Sequence, residues 1–174
     1  GGPPSGAALS FDDAAWQGAV DLLLFSALRM VRAAVPSMTA RGGGHVTAIA
    51  SLAALIGTPY EGVYSATKAA LSRLIDSARA ELRGGGVTFT AVYPGFIDTP
   101  LMWANAYEHP YVVSLDEAAD RIHAATIKRK TTIYFPARER LRIAAGGLLP
   151  TAMRDRVTKQ AMNEEIARRL GGAD

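Results

Sequence analysis

Two side chains with complementary acid–base chemistry lie one helical turn apart in the sequence. Tyr64 and Lys68 are four residues apart within VYSATKAAL, a segment with a helical pattern, so both project from one face of the helix. An ammonium beside a phenol stabilises the phenolate and lowers the pKa of the tyrosine from its usual value of about 10. A tyrosine tuned in this way can exchange a proton with a carbonyl or alcohol oxygen.

A third polar side chain lies where a neighbouring strand is expected to end. Ser51 closes HVTAIAS, a short apolar run after glycines that is typical of a buried strand. Ligands of α/β folds bind at the carboxyl ends of parallel strands, so the Ser51 hydroxyl is expected to reach the same substrate oxygen as Tyr64. Taken alone, the Tyr–Lys spacing favours a plainer interpretation, a half-buried tyrosine and a solvated lysine, because such pairs also arise by chance.

The elements that must position these groups alternate along the chain. Strands are predicted at 45–51, 87–94 and 131–136, and helices at 11–38, 60–83, 114–130, 138–148 and 151–170. Ser10 and the aspartates after it are suited to the start of the first helix, which is apolar almost all round and is therefore expected to be buried or at an interface. Ser114 and Glu117 have the spacing of a capping box.

This order predicts an α/β fold, a three-layer Rossmann-like parallel sheet that is incomplete, with about three strands and flanking helices. Residues 1–174 are expected to form a single domain in which 138–174 is a helical C-terminal extension. The glycine triplets at 42–44 and 84–86 precede strands, whereas a dinucleotide-binding loop places its glycines after one. The second triplet is expected to end the helix at 60–83.

The composition limits the kinds of site and compartment. The 174 residues are 49% hydrophobic and 20% charged, as in an ordinary globular protein, and include no cysteine, which excludes disulfides and thiolate metal sites. His45, His109 and His123 lack the spacing of metal ligands, so no metal site is predicted. The sequence shows no apolar run of about 18 residues and no secretion signal, and we expect a cytoplasmic protein.

Positive charge is concentrated in the C-terminal part. Residues 1–127 hold 8 Lys/Arg against 11 Asp/Glu, whereas residues 128–174 hold 11 against 5. The favoured interpretation is a solvated helix face with a subunit contact. Peripheral contact with an anionic membrane surface remains an alternative, whereas nucleic-acid binding rests on charge alone and is not predicted.

Several independent motifs together resemble the short-chain dehydrogenase/reductase family. YSATKAAL at 64–71 is similar to the family's active-site helix, and Ser51 precedes Tyr64 by thirteen residues, the family's spacing. PGFIDT at 94–99 is similar to the turn that follows the family's next strand. Other residues at family positions are Trp16, Asp21, Pro36 and Met38. The resemblance covers residues 1 to about 135 and is far more specific than any one motif.

The resemblance implies an NAD(P)-dependent oxidoreductase that interconverts a carbonyl and an alcohol. Tyr64 would be the general acid/base, Lys68 would lower its pKa and hold the nicotinamide ribose hydroxyls, and Ser51 would position the substrate oxygen. Contacts to the cofactor, NADP or NAD with NADP favoured, are expected from Tyr64, Lys68, Pro94, Gly95, Ile97 and Thr99. The cofactor would supply the hydride.

Two departures from the family pattern support an alternative function. Leu23 occupies the position where the family commonly has an asparagine that holds a proton-carrying water. The chain also resembles only the C-terminal two-thirds of the family's domain, so the glycine-rich cofactor loop is expected before Gly1. The alternative is a non-catalytic or truncated relative that serves as a binding or regulatory protein.

The substrate is expected to be a small molecule, a bulky or lipophilic ketone or alcohol. Aromatic side chains are frequent in and near the loop that would close over it, namely Tyr60, Phe96, Trp103, Tyr107 and Tyr111. They predict a largely apolar pocket, or else serve only to anchor the loop. The resemblance further implies a homo-oligomer in which the two long helices form the subunit interface.

Overall fold

A parallel sheet of three strands organises the chain. The computed structural model describes residues 6–100, 102 and 111–160. The strands are β1 (Gly44–Ile49), β2 (Val87–Pro94) and β3 (Thr132–Phe135), in the order β1–β2–β3, and both neighbouring pairs are parallel. This confirms the predicted incomplete Rossmann-like sheet, and the bounds of β2 match the prediction because glycines precede it and Pro94 ends it.

Helices lie on both faces of the sheet. They are α1 (Asp13–Val20), α2 (Ser26–Ala40), α3 (Gly62–Glu81), α4 (Leu115–Ile127) and α5 (Ala137–Gly147). Short 3₁₀ helices span Ala8–Ser10 and Leu52–Leu55, and residues 151–160 are also helical. Within the described part of the chain, no helix is long and apolar enough to cross a membrane.

The first predicted helix is two helices joined by a wider turn. A π-helical segment, Asp21–Phe25, separates α1 from α2. The predicted start is confirmed at the aspartates, because Asp12 is the N-cap and its carboxylate accepts a hydrogen bond from the Ala15 N–H at 2.8 Å, whereas Ser10 belongs to the preceding 3₁₀ helix. The helix is also less buried than predicted, since of α1, α2 and the turn only Ala19 is fully buried.

The larger core lies between the sheet and the helices α2 and α3. Its buried members come from β2, from α3 and from the segment directly after β1, with Ile75 and Phe89 almost wholly inaccessible. Because side chains alternate along a strand, one face of β2 meets α3 while the other faces α4. The helix that carries Tyr64 and Lys68 is therefore anchored along its length by apolar packing.

A smaller core lies on the opposite face, between the sheet and α4. Val92, Ala118 and Phe135 are its most deeply buried members. The predicted cap of α4 is confirmed, because the Ser114 hydroxyl accepts a hydrogen bond from the Glu117 N–H at 3.2 Å. Both faces of the sheet are thus covered by helices, as the alternating sequence predicts.

The two glycine triplets meet at the amino ends of β1 and β2. The Gly44 N–H donates to the Gly86 carbonyl at 3.2 Å, and a Cβ at Gly86 would lie 2.4 Å from the Gly42 oxygen. Gly84 and Gly86 have φ values of +88° and +78°, which only glycine adopts at little cost. The triplets therefore permit close backbone approach and helix termination, not phosphate binding.

The expectation that β1 is fully buried is wrong. All its residues from Gly44 to Ala48 are half-buried and Ile49 is 41% exposed. Among the residues that the structure describes, β1 pairs only with β2, so its other edge is accessible. A strand with one open edge cannot reach the burial of β2, which is covered on both sides.

Candidate active site

Ser51 lies directly beyond β1 and is almost wholly buried. Its backbone is extended, and its hydroxyl caps the 3₁₀ helix Leu52–Leu55 by accepting a hydrogen bond from the Ala53 N–H at 3.1 Å. The same hydroxyl makes a long contact of 3.5 Å with the Pro94 carbonyl at the end of β2. The serine is thereby held at the carboxyl edge of the sheet, as predicted.

Tyr64 and Lys68 are brought to the same edge by the first turns of α3. The Ser51 hydroxyl is near enough to the Tyr64 phenol to lower its pKa, and the Lys68 ammonium lies 5.7 Å from the centre of the Tyr64 ring. The predicted trio therefore meets in one place, although its members come from a strand end and a helix thirteen or more residues apart.

Lys68 is fixed across the gap between α3 and β1. Its ammonium donates a hydrogen bond to the Ile49 carbonyl, the last residue of β1, at 3.0 Å. Burial lowers the pKa of Lys68, because a charged amine is poorly solvated there. An ammonium has three donors, and Ile49 takes one of them, so the group retains the capacity to bind further oxygens.

The direction expected for the Tyr64 pKa is wrong. Burial raises the pKa of Tyr64 above its ordinary value, the hydrogen bond from Ser51 lowers it by a lesser amount, and the nearby Glu61 carboxylate raises it. The sequence argument considered only the ammonium one turn away and omitted the desolvation of the phenol itself. The structure therefore holds Tyr64 as a neutral phenol, the form that donates a proton.

Glu61 is the site residue that the sequence analysis missed. It is the residue before α3, one turn ahead of Tyr64, and burial raises the pKa of its carboxyl. The preceding Tyr60 has a φ of +62°, a conformation that is uncommon outside glycine, and its carbonyl accepts a hydrogen bond from the Gly6 N–H at 2.8 Å. The sequence signal was the glutamate at i−3 of the tyrosine, which places both side chains on one side of the helix start.

The turn at 94–99 follows β2 and folds beside the trio. The Gly95 N–H donates to the Phe135 carbonyl at 2.7 Å, and a Cβ at Gly95 would come within 3.0 Å of Pro136. The Thr99 hydroxyl donates to the Ile97 carbonyl at 3.2 Å. Among the described residues, the Ile97 N–H makes no backbone hydrogen bond although its neighbours Phe96 and Asp98 both bond to Val113.

The sequence model of short-chain dehydrogenases matches residues 1–109, which include Ser51, Tyr64, Lys68 and the turn at 94–99. The chain belongs to the short-chain dehydrogenase family. An uncharacterized oxidoreductase of Myxococcus xanthus is 28% identical over 144 residues, 83% of this chain and 57% of that protein. The ketoacyl reductase HetN of Nostoc is 34% identical and is matched over 77% of this chain and 50% of its own length.

Solved structures of the family superpose well on this fold. A short-chain dehydrogenase from Burkholderia cenocepacia in complex with NADP gives a TM-score of 0.76 at 28% identity, over 90% of this chain and 65% of that one. The L-sorbose reductase of Gluconobacter frateurii, complexed with NADPH and L-sorbose, gives 0.67 at 25% identity, over 77% and 61%. The chain thus spans between half and two-thirds of the length of these relatives.

The family's usual asparagine position falls in the π-helical turn. Leu23 is half-buried there, and the turn packs against α3, the helix of Tyr64 and Lys68. π-helical turns within helices are frequent at functional sites. A leucine side chain has no polar group that could hold a water at this position.

The aromatic residues of the predicted apolar pocket are described only in part. Tyr60 and Tyr111 are 38% and 37% exposed, and Phe96 is half-buried in the turn after β2. Trp103 and Tyr107 lie outside the described residues, as does His109. Across the described ranges no group of acidic or histidine side chains could hold a metal ion.

Proposed function

We propose that the protein is an NAD(P)-dependent oxidoreductase that interconverts a carbonyl and an alcohol. The observation that carries this proposal is the meeting of Ser51, Tyr64 and Lys68 at one edge of the sheet, where the Lys68 ammonium lies 5.7 Å from the Tyr64 ring and the Ser51 hydroxyl lowers the pKa of the phenol. A phenol beside a fixed hydroxyl is suited to protonate an oxygen that both groups contact. Membership of the short-chain dehydrogenase family supports the same chemistry.

In the reducing direction, Tyr64 would donate its proton to the substrate oxygen while Ser51 donates a hydrogen bond to it. The raised pKa of Tyr64 keeps the phenol protonated, which is the form that this direction needs. In the oxidising direction the phenolate would remove the alcohol proton, and the Lys68 ammonium would stabilise its charge. The bound nicotinamide would supply or accept the hydride.

The residues present fit the nicotinamide half of such a cofactor. Lys68 keeps donors beyond the one given to Ile49, which suits ribose hydroxyls, and the Ile97 N–H has no backbone partner among the described residues, which suits a carboxamide oxygen. We propose that Pro94, Gly95 and Thr99, which lie in the same turn as Ile97, also contact the cofactor. Relatives in complex with NADP and NADPH support NADP as the cofactor.

The substrate and assembly are proposals that follow from exposed groups. Tyr60 and Tyr111 support a lipophilic carbonyl or alcohol, and the family includes a protein named as a ketoacyl reductase. Leu22, Phe25 and Met30 on the α1–α2 side are exposed apolar groups, and we propose that they contribute to a homo-oligomer contact.

The alternative is a non-catalytic relative that binds a ligand at the same edge, and Leu23 is the observation that favours it. The experiment that separates the two uses the complete protein with NADPH deuterated at C4 and a panel of aliphatic ketones. We expect an alcohol that carries one deuterium on the former carbonyl carbon, detected by mass spectrometry. Cofactor binding without any deuterated alcohol would favour the alternative.

A further inference from the structure

A groove lies beside the loop that joins Ser51 to Tyr64. One wall is that loop, residues 55–59, together with α5, and the other is formed by the helical residues 151–160. Its volume of about 690 Å³ lies within the range of small-molecule sites, about 300–1,000 Å³. The loop between Ser51 and Tyr64 therefore lines this groove.

The two walls differ in chemistry. The side toward the sheet is apolar, with Leu55, Ile56 and Pro59 from the loop and Ile143 from α5. Ile143 also packs against the larger core, so this wall is supported from behind. An alkyl or aryl body would bury apolar surface against it, a contribution of about 25 cal/mol for each Å² removed from water.

The opposite wall carries a net positive charge. It presents Arg154, Asp155, Thr158 and Lys159, two cations against one carboxylate. Arg154 and Thr158 are half-buried and so face inward, whereas Asp155 and Lys159 are exposed. Within the described ranges, Arg154 and Lys159 form no ion pair, while five other ion pairs are made elsewhere.

We propose that this groove binds the tail of an amphipathic substrate whose carbonyl reaches Tyr64 and whose far end carries an anion. The proposal rests on the proposed function, since it names the substrate class for the same site. Arg154 would bind the anion through its planar guanidinium, which pairs with a carboxylate or phosphate by two parallel hydrogen bonds. Thr158 adds a hydroxyl donor, and Lys159 adds charge at the rim.

The test measures binding directly and so does not depend on turnover. The probe is 11-(dansylamino)undecanoic acid, titrated by fluorescence into the complete protein and compared with its methyl ester. We expect the acid to bind about tenfold more tightly than the ester, the change that one charge-assisted hydrogen bond supplies. Arg154→Gln should remove most of that preference, and Lys159→Gln a smaller part that disappears in high salt.

Two further variants make the test specific. Arg156→Gln removes an exposed cation of the same helix that does not line the groove, and it should leave the preference unchanged. Asp155→Asn removes the only carboxylate on that wall among the described lining residues, and it should tighten binding of the acid. Competition by decanoate and by decyl phosphate would decide which anion fits better.

Equal binding of acid and ester, or equal losses in Arg154→Gln and Arg156→Gln, would overturn the proposal, as would failure of both competitors to displace the probe. These outcomes are distinct from failure of the proposed reaction. Tyr64→Phe should strongly reduce deuterium transfer and leave probe binding intact. If the protein reduces ketones but binds acid and ester equally, the proposed reaction stands and the proposed role of the groove is wrong.

Discussion

The polar groups at the two ends of β1 differ in how fully they are hydrogen-bonded. At the amino end, the His45 ring nitrogens lie 2.8 Å and 2.9 Å from the hydroxyls of Thr88 and Thr90, and Thr90 also bonds the Lys130 carbonyl. At the carboxyl end, Lys68 keeps unused donors, and the Ser51 contact with Pro94 is long at 3.5 Å.

The difference separates polar groups that hold the fold from those that can act on a ligand. Buried polar groups in native proteins normally have hydrogen-bond partners. We therefore interpret the fully hydrogen-bonded cluster around His45 as one that stabilises the fold. Groups with spare hydrogen-bonding capacity at the ligand-binding edge of a parallel sheet are available for chemistry. Substitutions at the carboxyl end should therefore affect turnover, and those at the amino end should affect stability.

Of the substitutions that compare the two ends of β1, Lys68→Met has the largest expected effect. The variant keeps the apolar stem and removes the ammonium, so the turnover number of the complete protein should fall by about 10²-fold, as when one electrostatic group is lost. Because burial lowers the pKa of Lys68, its charge costs folding free energy, and urea unfolding should show no loss of stability. If Lys68→Met lowered the free energy of unfolding and left turnover unchanged, Lys68 would stabilise the fold and would not act on a ligand.

Thr90→Val tests the amino end. The substitution keeps the shape of a wholly buried side chain and leaves His45 and the Lys130 carbonyl each without one partner. The free energy of unfolding should fall by about 1–3 kcal/mol in urea titrations, with turnover unchanged. Thr88→Val, at an exposed position of the same strand, is the control and should cost less.

A smaller effect concerns the pH dependence of turnover. The proposed reducing reaction needs the phenol form of Tyr64, so its rate should fall as pH rises through the pKa of that residue. The Glu61 carboxylate raises this pKa, and Glu61→Gln should therefore move the alkaline limb of the pH–rate profile to lower pH. Glu81→Gln, at the far end of α3, is the control. A limb that moves to higher pH would contradict the placement of Glu61.

The smallest effect is the pH dependence of stability from His45. Burial and the charge of Arg129 lower its pKa below the ordinary 6.5, so the folded state favours the neutral ring. The unfolded chain binds the proton more readily, and the free energy of unfolding should decline as pH falls below about 6.5 and approaches the lower folded pKa. His45→Gln should flatten this decline, whereas the exposed His123→Gln should leave it in place.

Local patterns predicted the elements well where the signal is short-range. β2 begins after a glycine triplet and ends at a proline, and the cap of α4 is a single serine, so neighbouring residues alone decide both. The meeting of Ser51 with Tyr64 was predicted from the family's spacing together with the rule that ligands bind at strand carboxyl ends.

Other features depend on tertiary packing, which no local pattern contains. The π-helical turn at Asp21–Phe25 forms where the helix packs against α3, and the raised pKa of Tyr64 arises from burial by distant residues. The half-burial of β1 depends on which strands pair beside it. Glu61 was overlooked because its effect on the pKa of Tyr64 depends on how the start of α3 is buried, which the residue type alone does not reveal.

The most direct test of the account is the turnover of Tyr64→Phe, compared with Tyr134→Phe as a control away from the site. Phenylalanine keeps the ring and removes only the hydroxyl that meets Ser51 and the substrate oxygen. We predict a fall of about 10²–10⁴-fold in the turnover number for ketone reduction, with NADPH affinity retained and Tyr134→Phe unchanged. Turnover of Tyr64→Phe within about threefold of the unsubstituted protein would contradict the assignment of Tyr64 as the acid.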